Sequence, residues 1–162
     1  EYAPGVVTVA GADSMQYVKS FRENRIVYAE GSFFDFFSFP LTAGSRAALR
    51  QPNTVAISES YAVKYFGKEN AVGKNLILHN DFGKTNYTVT GVYSDFPENS
   101  DLQHDMIFSL ETLKNPANLN GNVWADLNTW ESQSLPTYLW LRDEANVAAL
   151  EQKINADYKR RK

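Results

Sequence analysis

Short apolar runs alternate with polar turns along most of the chain, a pattern typical of β-strands interleaved with a few helices. Runs rich in β-branched and aromatic residues predict eight strands, at residues 6–10, 16–19, 25–30, 54–57, 75–79, 87–93, 106–108 and 137–142. The best-defined pair is 75–79 with 87–93, because the intervening residues 80–83 have hairpin composition. Gly91 interrupts the second strand of this pair and predicts a bulge or a close backbone approach.

The segment from residue 32 to residue 58 is the most aromatic part of the chain. Five of its rings fall within seven residues, namely Phe33, Phe34, Phe36, Phe37 and Phe39. Burial of each ring is worth about 1.5 to 3 kcal/mol, so we expect a packed core here rather than an aromatic binding platform. Ser32 is expected to cap a short helix over Phe33–Phe37, which Pro40 prevents from continuing.

Two further helices have identifiable ends. Ser58 is expected to cap the helix Glu59–Phe66, and Gly67 to end it in a left-handed conformation. The last helix is predicted over about residues 146–160, with Asn146 as its cap. Its apolar stripe has helical spacing and consists of Val147, Leu150, Ile154 and Tyr158.

Composition narrows the class of protein. A chain of 162 residues with 43% hydrophobic residues is one domain or two small lobes, and is too apolar to be disordered. Its net charge of −3 offers no field to attract a nucleic acid. The absence of cysteine excludes disulfides and thiolate metal sites. No apolar run approaches the roughly 18 residues needed to cross a bilayer.

One loop carries residues suited to acid–base chemistry. Asp95, Asp101 and His104 place carboxylates near an imidazole, which is compatible with a free-standing extracytoplasmic hydrolase. The loop is also dense in Pro, Asn and Ser, where acidic residues commonly cap turns. His79 and His104 lie far apart without a metal-ligand motif, so we expect no metal site and no catalytic residue.

Two other chemical interpretations are weaker. Trp124, Trp130 and Trp140 are compatible with a carbohydrate-binding module, although packing explains such aromatics more simply. The stretch GKENAVGK has five residues between its glycines rather than four, and an asparagine follows its second lysine. It therefore lacks the spacing and the hydroxyl of a phosphate-binding loop, and no cofactor is expected.

Four motifs in order carry a family resemblance: FFDFFSFPLTAG, QPNTVAISESYAVKYFG, AVGKNL and YTVTGVYSDFPENS. Together, residues 27–109 resemble the MacB-like periplasmic core domain of ABC transporter permeases of the MacB/FtsX type. The resemblance continues more loosely through TYLWLRDEANVAALEQKI. The positions that carry it are Phe33, Phe34, Phe37, Phe39, Pro40, Leu41, Gly44, Ser58, Tyr65, Phe66, Gly67, Gly73, Lys74 and Gly91.

The resemblance implies a two-lobed α+β fold, with a mixed β-sheet of βαβ-type units and hairpins packed by helices. Its main lobe would comprise residues 1–95 and 137–162, and residues 96–136 would form a smaller, variable lobe. Family members run further at both ends, so this chain is expected to be the inner portion of a larger membrane protein. One sheet edge would then be left unpaired or covered by a neighbour.

The resemblance also implies a function. The domain would lie on the extracytoplasmic, periplasmic face of the inner membrane, between transmembrane helices of the permease. It would relay ATP-driven motion of those helices to a periplasmic partner or cargo, without catalysing a reaction itself. The implied partners are a cytoplasmic ATPase subunit or domain, a second permease protomer and an unidentified periplasmic protein or cargo.

Overall fold

The structure, a computed structural model, describes residues 4–9, 19–127 and 135–161. Its strands are β1 (Gly5–Val9), β2 (Ser20–Glu23), β3 (Ile26–Ala29), β4 (Leu41–Gly44), β5 (Thr54–Ser58), β6 (Asn75–Asn80), β7 (Gly83–Tyr93) and β8 (Met106–Ser109). Its helices are α1 (Phe33–Phe37), α2 (Glu59–Phe66) and α3 (Val147–Arg161), with 3₁₀ segments at Leu110–Lys114, Pro116–Leu119 and Val123–Ala125. None of the described helices is long and apolar enough to cross a membrane.

Within the described residues the strands form one mixed sheet, in the order β2-β1-β6-β7-β5-β8-β3. Strand β4 lies off this path and pairs with the end of β7. The β5–β7 and β3–β8 pairs are parallel, and the other pairs are antiparallel. The predicted α+β class with a mixed sheet is therefore confirmed. The division into two lobes stays a prediction, and β8, from the predicted smaller lobe, lies in this sheet between β5 and β3.

The predicted β6–β7 hairpin is confirmed, with a two-residue turn at Asp81 and Phe82. Its register runs from Asn75 opposite Thr88 to Asn80 opposite Gly83. Strand β7 begins four residues earlier than predicted, because its polar first residues, 83–86, all pair with β6 although none of them is buried. The side-chain oxygen of Asn80 accepts a hydrogen bond from the amide of Phe82 at 3.0 Å, which stabilises the turn.

A bulge interrupts β7 at Thr90. Val55 of β5 lies opposite Val89, but the next residue, Ala56, lies opposite Gly91, so Thr90 is the extra residue. The hydroxyl of Thr90 donates to the carbonyl of Ala48 at 2.6 Å. A Cβ on Gly91 would lie 3.0 Å from that of Ala48, so the close approach predicted from the glycine is also confirmed.

The bulge changes which face of the sheet β7 serves. Tyr87 and Val89 belong to the larger core cluster, on the same face as Ile57. Tyr93 belongs to the second cluster, which packs on the opposite face. Alternate residues of a strand share a face, so Tyr93 would point the same way as Val89 if Thr90 were not extra.

The second cluster contains the aromatic segment predicted to be core. Phe33 and Phe34 of α1 are buried there, with Tyr93 at 5.8 Å from the ring of Phe34. Phe37 and Phe39 pack partly buried at its margin. The prediction of a packed core is therefore confirmed for this segment.

Several local predictions are wrong in detail. Ser32 has helical backbone angles and makes no side-chain cap; its carbonyl accepts the amides of Asp35 and Phe36 instead. Gly67 ends α2 with φ 65° and ψ −124°, which is not the left-handed helical conformation. The strand predicted at 16–19 falls mostly outside the described residues, and β2 begins at Ser20.

The strand predicted at residues 137–142 is also wrong, because these residues are neither strand nor helix. Tyr138 and Trp140 both pack on α1, so their alternation reflects contacts with a helix and not a sheet ladder. Helix α3 and its cap are confirmed: the Asn146 side chain accepts the Ala149 amide at 3.0 Å. Its stripe is not buried throughout, since Val147 is 60% exposed.

A buried carboxylate holds β2 to α2. Glu23 is 3% exposed, and it accepts hydrogen bonds from the hydroxyls of Tyr61 and Tyr65 and from Lys64 Nζ at 2.7 Å. Lys64 Nζ also lies over the ring of Tyr61, at 4.4 Å, and over that of Phe21. Burial, and then the hydrogen bond to Glu23, raises the pKa of both tyrosines, so they remain donors at any ordinary pH.

Replacement of Gly44 tests the close approach of β4 to the bulge. Gly44 has φ +85°, and a Cβ there would lie 2.3 Å from the carbonyl oxygen of Thr90. Gly44→Ala is expected to lower the free energy of unfolding by about 3 kcal/mol, measured by urea denaturation. Gly73→Ala is the matched control, because Gly73 has φ +89° with nothing within 4 Å, and should cost about 1 kcal/mol. Equal losses of unfolding free energy from the two variants would contradict the close approach of Gly44 to Thr90.

Replacement of Glu23 tests the link between β2 and α2. Glu23→Ala removes the carboxylate that accepts from the buried Tyr65 hydroxyl, the partly buried Tyr61 hydroxyl and Lys64, so the free energy of unfolding should fall by about 3 kcal/mol. Glu98→Ala removes an exposed carboxylate and should stay within about 0.5 kcal/mol of the parent. A loss from Glu23→Ala no larger than that of the control would show that the cluster does not stabilise the fold.

Candidate functional site: a groove beside strand β3

Among the described strands, β3 lies at the end of the sheet, and a cavity of about 420 Å³ opens beside it. Residues 27–30 all line this cavity. Successive side chains of a strand point to opposite faces, so four consecutive residues can line one cavity only if it runs along the edge of the strand. Residues 135–138 also line the cavity, together with Phe33, Phe36 and Phe37 of α1.

A second cavity of about 430 Å³ continues the first. The two share Glu30, Leu110 and Leu135, so they form one continuous groove, here called the edge groove. The far part is lined mainly by aliphatic residues of the 3₁₀ segments and the residues that follow them: Leu113, Pro116, Leu119 and Leu127. The edge groove is therefore mostly apolar.

Exposed aromatic side chains mark the rim of the groove. Tyr138 is 52% exposed and packs edge-on against Phe37 at 5.1 Å, and Trp140 is 78% exposed and packs against Phe36 at 6.0 Å. Leu139 between them is also exposed. Large apolar side chains exposed side by side are typical of interaction surfaces.

The charges around the groove are mainly negative. The carboxylates of Glu30, Asp101 and Asp126 line it, and its one lining cation among the described residues, Lys114, forms an ion pair with Glu111 at 2.6 Å. Burial lowers the pKa of His104 to about 4, so this imidazole is neutral at pH 7. A ligand with a positive charge would therefore be favoured over an anion.

The structure separates the residues considered for catalysis. Asp101 and His104 line the same cavity. Asp95 lies elsewhere, where it accepts hydrogen bonds from the hydroxyl of Ser60 at 2.6 Å and from its amide at 3.3 Å. Residues 4–9, 19–127 and 135–161 bring together no group of three His, Asp or Glu side chains that could hold a metal ion.

The tryptophans lie on different elements. Trp124 packs on Phe82 at the β6–β7 turn, with ring centres 5.6 Å apart, and Trp140 packs on Phe36 of α1. Trp130 lies outside the described residues. The ring contacts thus give Trp124 and Trp140 separate packing roles.

The positions that carry the family resemblance have packing and turn roles in the structure. The Ser58 hydroxyl accepts a hydrogen bond from the Tyr61 amide and caps α2. The Gly73 amide donates a hydrogen bond to the carbonyl of Val89 in β7. Lys74 forms an ion pair with Glu69 and lies over the ring of Phe66 at 5.2 Å. None of these positions lines the edge groove except Phe33 and Phe37. Sequence reasoning missed Glu30 and residues 135–138, because their proximity depends on the order of strands.

Comparison with known proteins places the chain in a family. The model of the MacB-like periplasmic core domain matches residues 1–157. A domain of a protein described as a permease from Porphyromonas gingivalis is 25% identical, with a TM-score of 0.59, over 98% of this chain and 70% of that one. The periplasmic region of MacB from Actinobacillus actinomycetemcomitans is 18% identical, with a TM-score of 0.60, over 98% and 63%. No curated protein matches. The chain therefore belongs to the MacB-like periplasmic core domain family of ABC transporter permeases.

Proposed function

We propose that this domain relays ATP-driven motion of permease helices to a partner or cargo outside the membrane. It sits on the extracytoplasmic face of the inner membrane, as part of an integral membrane protein that pairs with a second protomer. A cytoplasmic ATPase subunit or domain supplies the motion. The domain itself binds no cofactor and catalyses no reaction. The family match over residues 1–157 supports this assignment.

The observation that carries the proposal is a closely packed sheet with a buried apolar cluster on each face, in which side-chain hydrogen bonds fasten the segments of the second cluster. The Ser109 hydroxyl donates to the Leu49 carbonyl at 2.7 Å, and the Tyr93 hydroxyl donates to the His104 carbonyl at 2.8 Å. The Arg46 guanidinium donates to the carbonyl of Phe34 and holds α1 in place. Closely packed interiors deform little, so a displacement at one end of such a body reaches the other end.

The state of His104 supports the non-catalytic part of the proposal. Its ring packs edge-on against Phe96, with centres 6.1 Å apart, and burial keeps it neutral at pH 7. Asp95, the third residue of the alternative hydrolase site, is held by Ser60. The imidazole thus packs in the wall of the domain, while the Asp95 carboxylate is bonded to a different residue.

Spin labels test the rigid relay in the intact permease with its ATPase. The chain contains no cysteine, so Lys68→Cys and Lys84→Cys place labels at two exposed positions. Double electron–electron resonance on Lys68→Cys alone measures the distance between protomers, and this distance should change when ATP and vanadate are added. The Lys68–Lys84 distance within one domain, measured after dilution with unlabelled permease, should stay constant because the body is rigid.

Two results would contradict the relay. A constant distance between protomers would show that the ATPase does not move the domain. A nucleotide-dependent change within the domain would show that it absorbs the motion by deforming. A permease whose ATPase cannot bind ATP is the control, and should keep both distances unchanged when ATP and vanadate are added.

The pH dependence of stability tests the buried state of His104. Its pKa falls from 6.5 to about 4 on folding, so between these values the unfolded chain binds a proton that the folded chain excludes. Stability due to this group is complete above pH 6.5 and is lost as pH falls towards 4. The difference in free energy of unfolding between the parent and His104→Asn should therefore shrink between pH 7.5 and 4.5. A difference independent of pH would rule out this buried, neutral state.

A further inference from the structure

We propose that the edge groove binds an extended polypeptide segment of a partner protein, which pairs with the open edge of β3 and places a basic side chain beside Glu30 and Asp101. The inference deepens the proposed function, on which it rests for the existence of an outside partner. It names the surface that such a partner would contact and the chemistry of the contacting segment.

Strand β3 has one edge paired and the other edge facing the groove. One edge of β3 pairs with β8 in parallel, from Ile26 opposite Met106 to Ala29 opposite Ser109. Its other edge faces the groove, and in the described part of the chain no strand pairs with it. Peptide groups along an open edge are a template for another strand. They favour a peptide over an acyl chain, which offers neither donors nor acceptors.

The groove beside β3 matches a short extended segment with apolar side chains. In an extended peptide successive side chains point to opposite sides, and successive residues advance by about 3.3 Å. The four residues of β3 therefore match a segment of about four to six residues. Phe36 and Phe37 line the first cavity of the groove, and Leu113 and Leu119 line the second. Apolar side chains at alternate positions of the partner would contact these aromatic and aliphatic residues.

The negative charge of the groove favours an apolar segment that also carries a basic residue. Glu30 is exposed where the two cavities meet, and Asp101 is exposed at the rim of the first. His104 is neutral at pH 7, and Lys114, the one cation among the described lining residues, is shared between its ion-pair partner Glu111 and Glu30, so the carboxylates of the groove outnumber its cations. A lysine or arginine that flanks the apolar residues would gain from this field, and an acidic residue would be repelled.

A peptide titration tests the proposal on the 162-residue chain. The probe is the capped peptide Lys-Thr-Val-Thr-Val-Thr-Lys, added to ¹⁵N-labelled protein. Saturable shifts are expected for the amides of residues 27–30 and 135–138, with slower hydrogen exchange along β3. A peptide N-methylated at both valines keeps the side chains but removes two amide donors, and should bind at least about tenfold more weakly.

Charge exchange provides the matched variants. Glu30→Lys should weaken binding about tenfold, and Glu98→Lys, an equal charge change on an exposed loop, should leave it unchanged. A peptide with glutamate in place of both lysines should prefer the Glu30→Lys variant to the parent. Both variants should keep the parent's urea midpoint, which shows that any lost binding does not arise from unfolding. Asp101→Asn provides a second variant at the rim.

Four outcomes of the titration would overturn the proposal. They are no saturable shift up to the solubility limit of the peptide; equal binding of the N-methylated peptide; shifts confined to residues outside the groove; and shifts at residues 27–30 from the detergent dodecyltrimethylammonium but not from the peptide. The last would assign the groove to amphiphiles. Binding by the chain but not by the intact permease would assign the edge to another part of the permease, and would also overturn it.

The failure of this inference is distinguishable from failure of the relay. A negative titration leaves the spin-label distances in the intact permease untouched. Constant distances there, with peptide binding intact, would instead remove the relay and leave a peptide-binding domain.

Discussion

The extra residue in β7 is the constraint on which the rest of the structure depends. Before Thr90 the strand contributes Tyr87 and Val89 to one face of the sheet, and after it Tyr93 turns to the other. The same strand can therefore join both cores. Its two glycine contacts, Gly91 against Ala48 and Gly44 against Thr90, show how closely the neighbouring backbone must approach for this change of face.

The two ends of the sheet are finished differently. At β2 the carboxylate of Glu23 is bonded to Lys64, Tyr61 and Tyr65, so α2 is fixed across that end of the sheet. At β3 the groove follows the strand edge instead, with its apolar walls and acidic rim. Edge strands are usually protected against pairing with other chains. Of the two ends, β3 is therefore the one proposed to contact a partner.

The sequence predicts local features well and distant ones poorly. The β6–β7 hairpin, the Ser58 cap and the Asn146 cap each depend on residues a few positions apart, and all three are confirmed. The bulge beside Gly91 was also predictable, but its effect on Tyr93 was not, because that requires knowing both cores. Residues 137–142 have the composition of a strand, and contacts with α1 override that propensity. The groove could not be predicted, since it exists only once β3 is known to end the sheet.

The parallel pairing of β3 with β8 has a consequence for how the chain folds. Each residue of β3 meets a partner 80 positions later, whereas β6 and β7 meet across a two-residue turn. Closing so large a loop costs more chain entropy than closing a hairpin, and contacts between distant residues form slowly. We therefore expect the hairpin to be native early and β3 to join the sheet late, so that the edge groove is assembled among the last parts of the domain.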